Sequence, residues 1–362
     1  MKIFLRKIVL LLAILQFASC KNAEETAPTN QQSSSNQIEY ATSLSIYKHE
    51  GYTIVKVNNP WPKANKKFTY ILQENDGIVP DSLKKYNTIR VPLQSIVVTS
   101  TTNIPFLEML KIENQLIGFP HTDIGQNERL DVEQLIDLAP SAIVTYGIDN
   151  NNPMIDNLEK SGLKVIIQAD WMEQSPLGKA EWIKLYGALF GKEKEAKTQF
   201  DAIAKNYTDA MQLVANEKAQ ATVLYGSMYQ DQWYVANGNS WVAQFMKDAR
   251  STYLWADIAG SGSTPLSFEQ ILDKGQQANY WITTGSFKSY TEMKSKNPHY
   301  SQFDAFTKKN VYSFESKLGA TGGTIYYELA PSRPDLVLKD FIKIFHPEVL
   351  PNYSFTFAQK IK

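Results

Sequence analysis

The sequence predicts an α/β protein: two lobes, each a parallel sheet clad in helices, joined by one long helix and preceded by a small β extension. Three observations predict it. From Ser95 onward short, almost wholly apolar strands alternate with helical stretches, the pattern of parallel strands covered on both faces. From Ser175 a helical stretch of roughly forty residues interrupts that alternation, far beyond the usual length of about 11–12. Finally, DVEQLIDLAPSAIV, beginning at Asp131, returns as SFEQILDKGQQANYW, beginning at Ser267. Glu133-Gln134 and Glu269-Gln270 are each followed by two aliphatics and an aspartate. The interval is too long for a solenoid repeat and close to the size of one domain, so each lobe uses the same helix once.

The first segment is a targeting signal. MKIFLRK is positively charged, and IVLLLAILQFA is apolar but too short to span a bilayer as a mature helix. FASC then places Cys20, the only cysteine, after small residues, and this resembles a bacterial lipobox. Residues 1–19 are read as a lipoprotein signal peptide and Cys20 as the lipidation site. Several acyl chains there would give stable anchoring where one is marginal. No internal disulfide is possible. Residues 20–38, nearly devoid of apolar side chains, read as a flexible tether.

The bulk numbers fit a globular body. At 362 residues, with 43% hydrophobic and 20% charged, the chain holds about two domains. Lys plus Arg and Asp plus Glu both number 37, which gives no reason to expect a nucleic-acid partner. Loss of Lys2, Arg6 and Lys7 leaves a slightly acidic mature chain whose only arginines are Arg90, Arg129, Arg250 and Arg333.

Residues 39–89 form the β extension: GYTIVKVNNPWP and KKFTYILQEN alternate and are separated by Asn-Pro and Pro-Lys turns. Residues 90–175 form lobe 1. QSIVVTS is a strand; IPFLEMLK is a helix with Asn103 as N-cap and Pro105 in its first turn. QLIGFP, AIVTYG and KVIIQADW are strands; DVEQLIDLA and MIDNLEKSG are helices, the latter closed by Gly162. Residues 176–217 are helical, with a break at Gly191. Ala196, Phe200, Ile203, Tyr207, Ala210 and Val214 then draw one apolar stripe along the interlobe helix. Residues 218–362 form lobe 2. ATVLYGSMY, QWYVAN, ANYWITTG and NVYSFES are its strands; NSWVAQFMKDAR, SFEQILDKG and PDLVLKDFIKIFHP are its helices.

In that order and spacing, SIVVTSTTNIPFLEML, VEQLIDLAPSAIVTYG, GKEKEAKTQFDAIAKNY, NGNSWVAQFM, PLSFEQILDK and SRPDLVLKDFIKIFHP resemble the metal-chelate class of ABC-transporter substrate-binding proteins. The resemblance covers nearly everything from about Ser95 to Pro347 and implies two Rossmann-like lobes joined by a long helix. It implies a protein that captures a ferric siderophore, haem or cobalamin between the lobes and delivers it to a membrane permease. It further implies that Glu133 and Glu269, one per lobe, dock on permease arginines. The capping of exposed helices is the alternative role for these two glutamates. The extension with VNNPWP has no role legible in sequence. The expected protein is a monomer, lipid-anchored on the periplasmic side of a bacterial membrane, that needs no cofactor of its own.

Ligands of open α/β sheets bind outside the carboxyl ends of the strands. Lobe 1 delivers Ser100, Thr101, Thr102 and Asn103 there, then Phe119 and His121, Tyr146, Trp171 and Glu173. Lobe 2 delivers Tyr229, Trp233, Asn239, Trp241, Phe287, Lys288, Tyr326, Tyr327 and Arg333. Aromatic walls suit a large, partly apolar chelate; Trp171, Tyr146 and Trp233 lead the candidates, although ordinary packing explains any single aromatic more readily. Trp61, Trp182 and Trp255 are assigned to structure. His121, or a tyrosine, has the chemistry of an axial haem ligand. His49, His121, His299 and His346 are dispersed, which argues against an imidazole-rich site for free metal. An anionic tris-catecholate would want a cluster of cations, and only Lys288, Lys317 and Arg333 are at hand, so a less charged chelate is expected.

No G-x-S-x-G, H-E-x-x-H, P-loop or G-x-G-x-x-G motif marks an enzyme; GSGSTP and GATGG read as flexible loops. A cleft hydrolase is the weakest alternative. A surface-exposed adhesin is the other, on the strength of the acidic residues after Cys20. A single long connecting helix predicts a small opening motion instead of a wide clamshell.

Overall fold

The alternating runs after Tyr40 pair as the sequence suggests. β1 (Leu44–His49) and β2 (Tyr52–Val57) form a hairpin, with Thr53, Val55 and Val57 turned inward. β3 (Phe68–Glu74) adds antiparallel and β4 (Asn87–Val91) parallel, closing a four-stranded sheet in order 1-2-3-4. The computed structural model describes residues 34–120, 124–126, 129–218, 221–319 and 322–362. Cys20, the signal segment, most of the tether and His121 lie outside the described residues. The chain joins the fold before residue 39: Asn36 Oδ1 accepts from the amides of Ile38 and Ile46, and Ile38 is buried.

Lobe 1 is a parallel sheet in order β10-β9-β5-β6. Its strands are β5 (Ile96–Val98), β6 (Leu116–Gly118), β9 (Ala142–Thr145) and β10 (Val165–Ile167). A ribbon of β7 (Gly125–Gln126) and β8 (Arg129–Leu130) stands beside it. α1 (Ile104–Met109), α2 (Val132–Leu138) and α3 (Pro153–Lys160) follow successive strands. Asn103 precedes α1, but its side chain makes no capping bond; Ser100 caps the preceding turn instead.

The helical middle is three helices: it breaks at Gly191 as the sequence predicts, and once more after Ala180. α4 (Pro176–Ala180) is capped by Ser175, α5 (Ile183–Phe190) ends at Gly191 with φ of 64°, and α6 (Glu193–Leu213) runs 21 residues. All six stripe residues of α6 are buried. The helix packs along α5 and along α12 (Pro334–Phe345), the closing helix of lobe 2.

Lobe 2 repeats the parallel design in order β14-β11-β16-β17-β18, with the last strand antiparallel. These are β11 (Thr222–Tyr225), β14 (Thr252–Tyr253), β16 (Tyr280–Thr283), β17 (Val311–Ser313) and β18 (Gln359–Lys360). ATVLYGSMY is two strands, not one. Gly226, at φ of +100°, turns the chain out of the sheet; a Cβ there would lie 2.1 Å from the Tyr234 carbonyl oxygen. β12 (Ser227–Tyr229), β13 (Gln232–Ala236) and β15 (Ser263–Leu266) form a separate antiparallel sheet. GSGSTP is therefore partly strand, held by pairing with β13 that no local pattern announces. The helices are α7 (Trp241–Asp248), α8 (Phe268–Gly275), α9 (Tyr290–Lys296), α10 (Asp304–Thr307), α11 (Ile325–Leu329) and α12.

One hydrophobic cluster runs through both lobes and the connecting helices, from Phe106 through Tyr186 and Phe200 to Phe245 and Phe341. A smaller cluster, including Val97, Leu135, Ile143 and Leu158, fills the outer face of lobe 1. Ser35–Lys362 accordingly form one compact unit.

Candidate functional site

In both lobes the strand order reverses beside the first strand, between β5 and β9 and between β11 and β16. Such switch points open a crevice at the carboxyl ends of the strands. Each is bridged by a pair of hydroxyls. Thr99 Oγ1 donates to Thr145 Oγ1 at 2.8 Å in lobe 1, and Ser227 and Thr284 hydroxyls lie 2.8 Å apart in lobe 2. The turn Thr101–Asn103, at the end of β5, packs against α11 of lobe 2. The two switch points therefore approach one another at a seam.

A pocket opens on the lobe 2 side. Tyr225, Thr283, Thr284, Glu315 and Tyr326 line it. Phe314 and Phe341 give it an apolar back wall. Tyr327, on the rim, is 51% exposed and donates its hydroxyl to Glu315. Burial raises the Glu315 carboxyl above its ordinary pKa, against the lowering effect of that hydrogen bond. Tyr326 stacks on Trp241 with centroids 5.8 Å apart, and the Lys179 ammonium lies 5.3 Å from the centroid of the same Trp241 ring. Trp241, Tyr326 and Tyr327 thus form an aromatic row at the seam.

The structure brings together Thr101, Thr102, Trp241, Tyr326 and Tyr327 and disperses the rest. Trp171, in the turn after β10, is 40% exposed, and Tyr229 is 67% exposed beside Tyr234. Tyr146, after β9, is half-buried, as is Phe119 after β6. Asn239 is exposed in the turn before α7. Two picks need correction. Trp233 is fully buried, its indole N–H bonded to the Tyr225 carbonyl at 2.9 Å and its ring packed on Trp281, Tyr300 and Phe303. It faces inward because alternation along β13 exposes Gln232 and Tyr234. Phe287 leans edge-on against Tyr300 of the same cluster.

Two of the three expected cations are committed elsewhere. Lys317 donates to the Phe355 and Thr356 carbonyls at 2.6 and 2.9 Å, and Arg333 makes a bidentate pair with the buried Asp335 at 2.8 and 2.9 Å. Glu173 faces away from the seam: with Glu181 it binds backbone amides of residues 39–43. Glu315 was missed, although it stands at the carboxyl end of a strand readable in NVYSFES.

The β extension holds up the lobe 1 rim. Trp61 donates to Asn150 Oδ1 at 2.8 Å and packs against Gly147, in the loop carrying Tyr146. The Tyr70 hydroxyl takes the Ile167 amide at 2.9 Å, at the end of β10. Trp61, Trp182 and Trp255 are all buried.

Glu133 and Glu269 occupy the same position, the second residue of α2 and of α8, and both are exposed. Their neighbours do the capping: Asp131 takes the Gln134 amide, and Ser267 and Gln270 form a reciprocal capping box. Glu269 is held below its usual carboxylate range by its own backbone amide and by Ser267. Away from the seam, His346, Glu217 and Glu348 place potential ligand atoms within 4.8 Å of one another. The His346 ring is buried, with Nε2 at 3.0 Å from the Ala249 carbonyl.

The family model for periplasmic binding proteins matches residues 96–318. The chain belongs to the periplasmic binding protein family. It is a substrate-binding protein and not an enzyme. Its relatives include an uncharacterised lipoprotein of Methanocaldococcus jannaschii, 25% identical over 360 residues, covering 89% of this chain and 84% of that one. Among solved structures, the fold is similar to a periplasmic haem-binding protein from Pseudomonas aeruginosa, with TM-score 0.56, 17% identity and coverage of 75% and 98%. It is also similar to a possible iron-binding periplasmic solute-binding protein from Staphylococcus epidermidis, with TM-score 0.54, 18% identity and coverage of 71% and 100%. The family match begins at the first strand of lobe 1, so the β extension precedes it. Among the described residues no helix is long and apolar enough to cross a membrane.

Proposed function

We propose that this periplasmic binding protein is the capture component of an ABC importer for a metal chelate: a ferric siderophore, haem or cobalamin. The observation that carries the reading is the seam itself. Two strand-order switch points approach across it, and the aromatic row Trp241, Tyr326 and Tyr327, the last half exposed, lines it. Aromatic area with few charges suits a large, partly apolar ligand. The similarity of the fold to a haem-binding and a possible iron-binding periplasmic protein supports the same class. Thr101, Thr102, Tyr146 and Asn239 would add polar contacts from the strand-end loops. Glu133 and Glu269 would dock on the permease, one carboxylate per lobe reporting that both lobes are correctly placed. Cys20 would carry the lipid that holds the protein, as a monomer, on the periplasmic side of a bacterial membrane.

The test is a titration of the chain from Lys21 onward with cobalamin, haem and ferric siderophores. Tryptophan fluorescence would follow binding and calorimetry would check it. Binding of one member at about micromolar or better, roughly −8 kcal/mol, is the expected result. Silence across the panel would remove the chelate reading.

A further inference from the structure

The ionisable groups at the seam divide into those already bonded within the protein and those left for a ligand. Lys179 is buried, with its ammonium donating to the Asp170 and Trp171 carbonyls at 2.9 and 3.2 Å and lying over Trp241. Lys317 and Arg333 are spent on carbonyls and on Asp335. Lys288 is exposed beside Glu292, whose carboxylate takes its backbone amide at 2.8 Å. No cation pairs with Glu315 among the described residues. One Glu315 oxygen takes the Tyr327 hydroxyl, and the other has no partner there. Glu328, on α11, adds a second carboxylate, lying against Gly323.

A half-buried carboxylate with no neighbouring cation among the described residues carries its charge in partly desolvated surroundings. It repels an anionic ligand and is satisfied by one that brings a donor. A ligand with several carboxylates or catecholates would have to desolvate its charge against Glu315 with no counter-ion to receive it.

We infer that Glu315, steadied by Tyr327, is a specificity-determining residue that selects chelates that are neutral or net positive and present an ammonium or amide N–H to its free oxygen. The inference rests on the chelate-binding reading above and adds the charge class and the residue that sets it. Sequence alone leans to a less charged ligand for want of cations; the structure supplies a group that discriminates actively.

The experiment uses three probes: a ferric trihydroxamate with a terminal ammonium, the same chelate with that nitrogen acetylated, and a ferric tris-catecholate. Calorimetry is run on the chain from Lys21 onward, wild type and Glu315→Gln. Glutamine keeps the shape and an acceptor oxygen, and matched circular dichroism checks the fold. The ammonium form should bind tightest to the wild type and the tris-catecholate weakest. Glu315→Gln should shrink the ammonium-over-acetyl preference by about tenfold, the worth of 1.4 kcal/mol. A wild type that prefers the tris-catecholate, or a preference unchanged in Glu315→Gln, overturns the inference while leaving chelate binding intact. If none of the three binds, and neither cobalamin nor haem does, the chelate reading fails and this inference falls with it.

Discussion

Glu173 and Glu181 share five consecutive backbone amides. Glu181 accepts those of Glu39, Tyr40 and Ala41 at 2.7–2.9 Å, and Glu173 accepts those of Thr42 and Ser43 at 2.8 Å. Both carboxylates are buried, and Lys184 pairs with Glu181 at 2.7 Å. Glu181→Ala strips three part-buried amides of their acceptor and leaves Lys184 without its carboxylate, bonded only to the Gln37 carbonyl. Hydrogen bonds to charged groups contribute about 1.5–3 kcal/mol each, partly recovered by water. Unfolding free energy should fall by about 2–4 kcal/mol in denaturant titration, with faster proteolysis near Tyr40. A loss below about 0.5 kcal/mol, the range of an unremarkable surface change, would contradict the pinning role.

Trp233 and Tyr229 sit four residues apart with opposite fates. Trp233→Ala should cost about 3–5 kcal/mol, as for other large buried aromatics. Tyr229→Ala should cost less than about 0.5 kcal/mol and weaken chelate binding. Paired denaturant and ligand titrations separate the two; a stability loss of equal size in both variants would refute the assignment.

Glu315 predicts a pH signature. Its folded pKa is raised by burial, so the folded protein holds that proton more tightly than the unfolded chain does. The associated stability is full below the unfolded pKa and is lost as pH rises through the folded one. At neutral pH the ionised carboxylate is therefore a liability in the free protein, and Glu315→Gln should be the more stable chain. That advantage should shrink as pH falls through the raised pKa. Affinity for an ammonium-bearing chelate should fall over the same range in the wild type and stay flatter in the variant. Melting curves and calorimetry between about pH 4 and 8, which bracket the carboxylate range, check both; a flat wild-type profile would count against the role.

The matched glutamates predict a separation of function. Reversing both, Glu133→Lys and Glu269→Lys, should abolish uptake and leave chelate affinity intact. Each lysine at a helix start also opposes the helix dipole by about 0.3–1 kcal/mol, so Glu→Gln at both sites serves as the control for folding. Equal loss of affinity and uptake would contradict docking.

The continuous core and the α11 contact with Thr101–Asn103 predict a small closing motion. Solution scattering with and without ligand should change the radius of gyration by less than about 1–2 Å, well short of a wide hinge closure.

Much of this architecture is legible in the residues. The α6 stripe, the Gly191 break and the duplicated Glu-Gln helices follow from local periodicity and capping. Their forces act within a turn or two of chain. β15, by contrast, exists only because β13 lies beside it, and Gly226 splits a continuous apolar run by its backbone conformation. At the site, the loops could be listed because strand ends are readable, but side-chain direction could not. Trp233 and Tyr229 look alike in sequence; a one-residue difference in strand phase sends one inward. Lys317 and Arg333 looked available because their partners, Thr356 and Asp335, are fixed by the fold of the closing segment. The Glu315–Tyr327 pair joins two elements separated by a Gly-rich loop that local patterns describe poorly.

The Glu173–Glu181 clamp also sets how the molecule bears a load. Residues 39–43 are fastened to the helical hub, not to the tip of either lobe. A pull on the chain ahead of Asn36 enters through five amide bonds loaded together, next to α4 and α5, and reaches both lobes through α6. With Cys20 lipidated as proposed, drag on the leash would then twist the body about its middle with a short lever arm. Neither lobe would be pried from the other, so the carrier could swing on its leash with its grip on the cargo undisturbed.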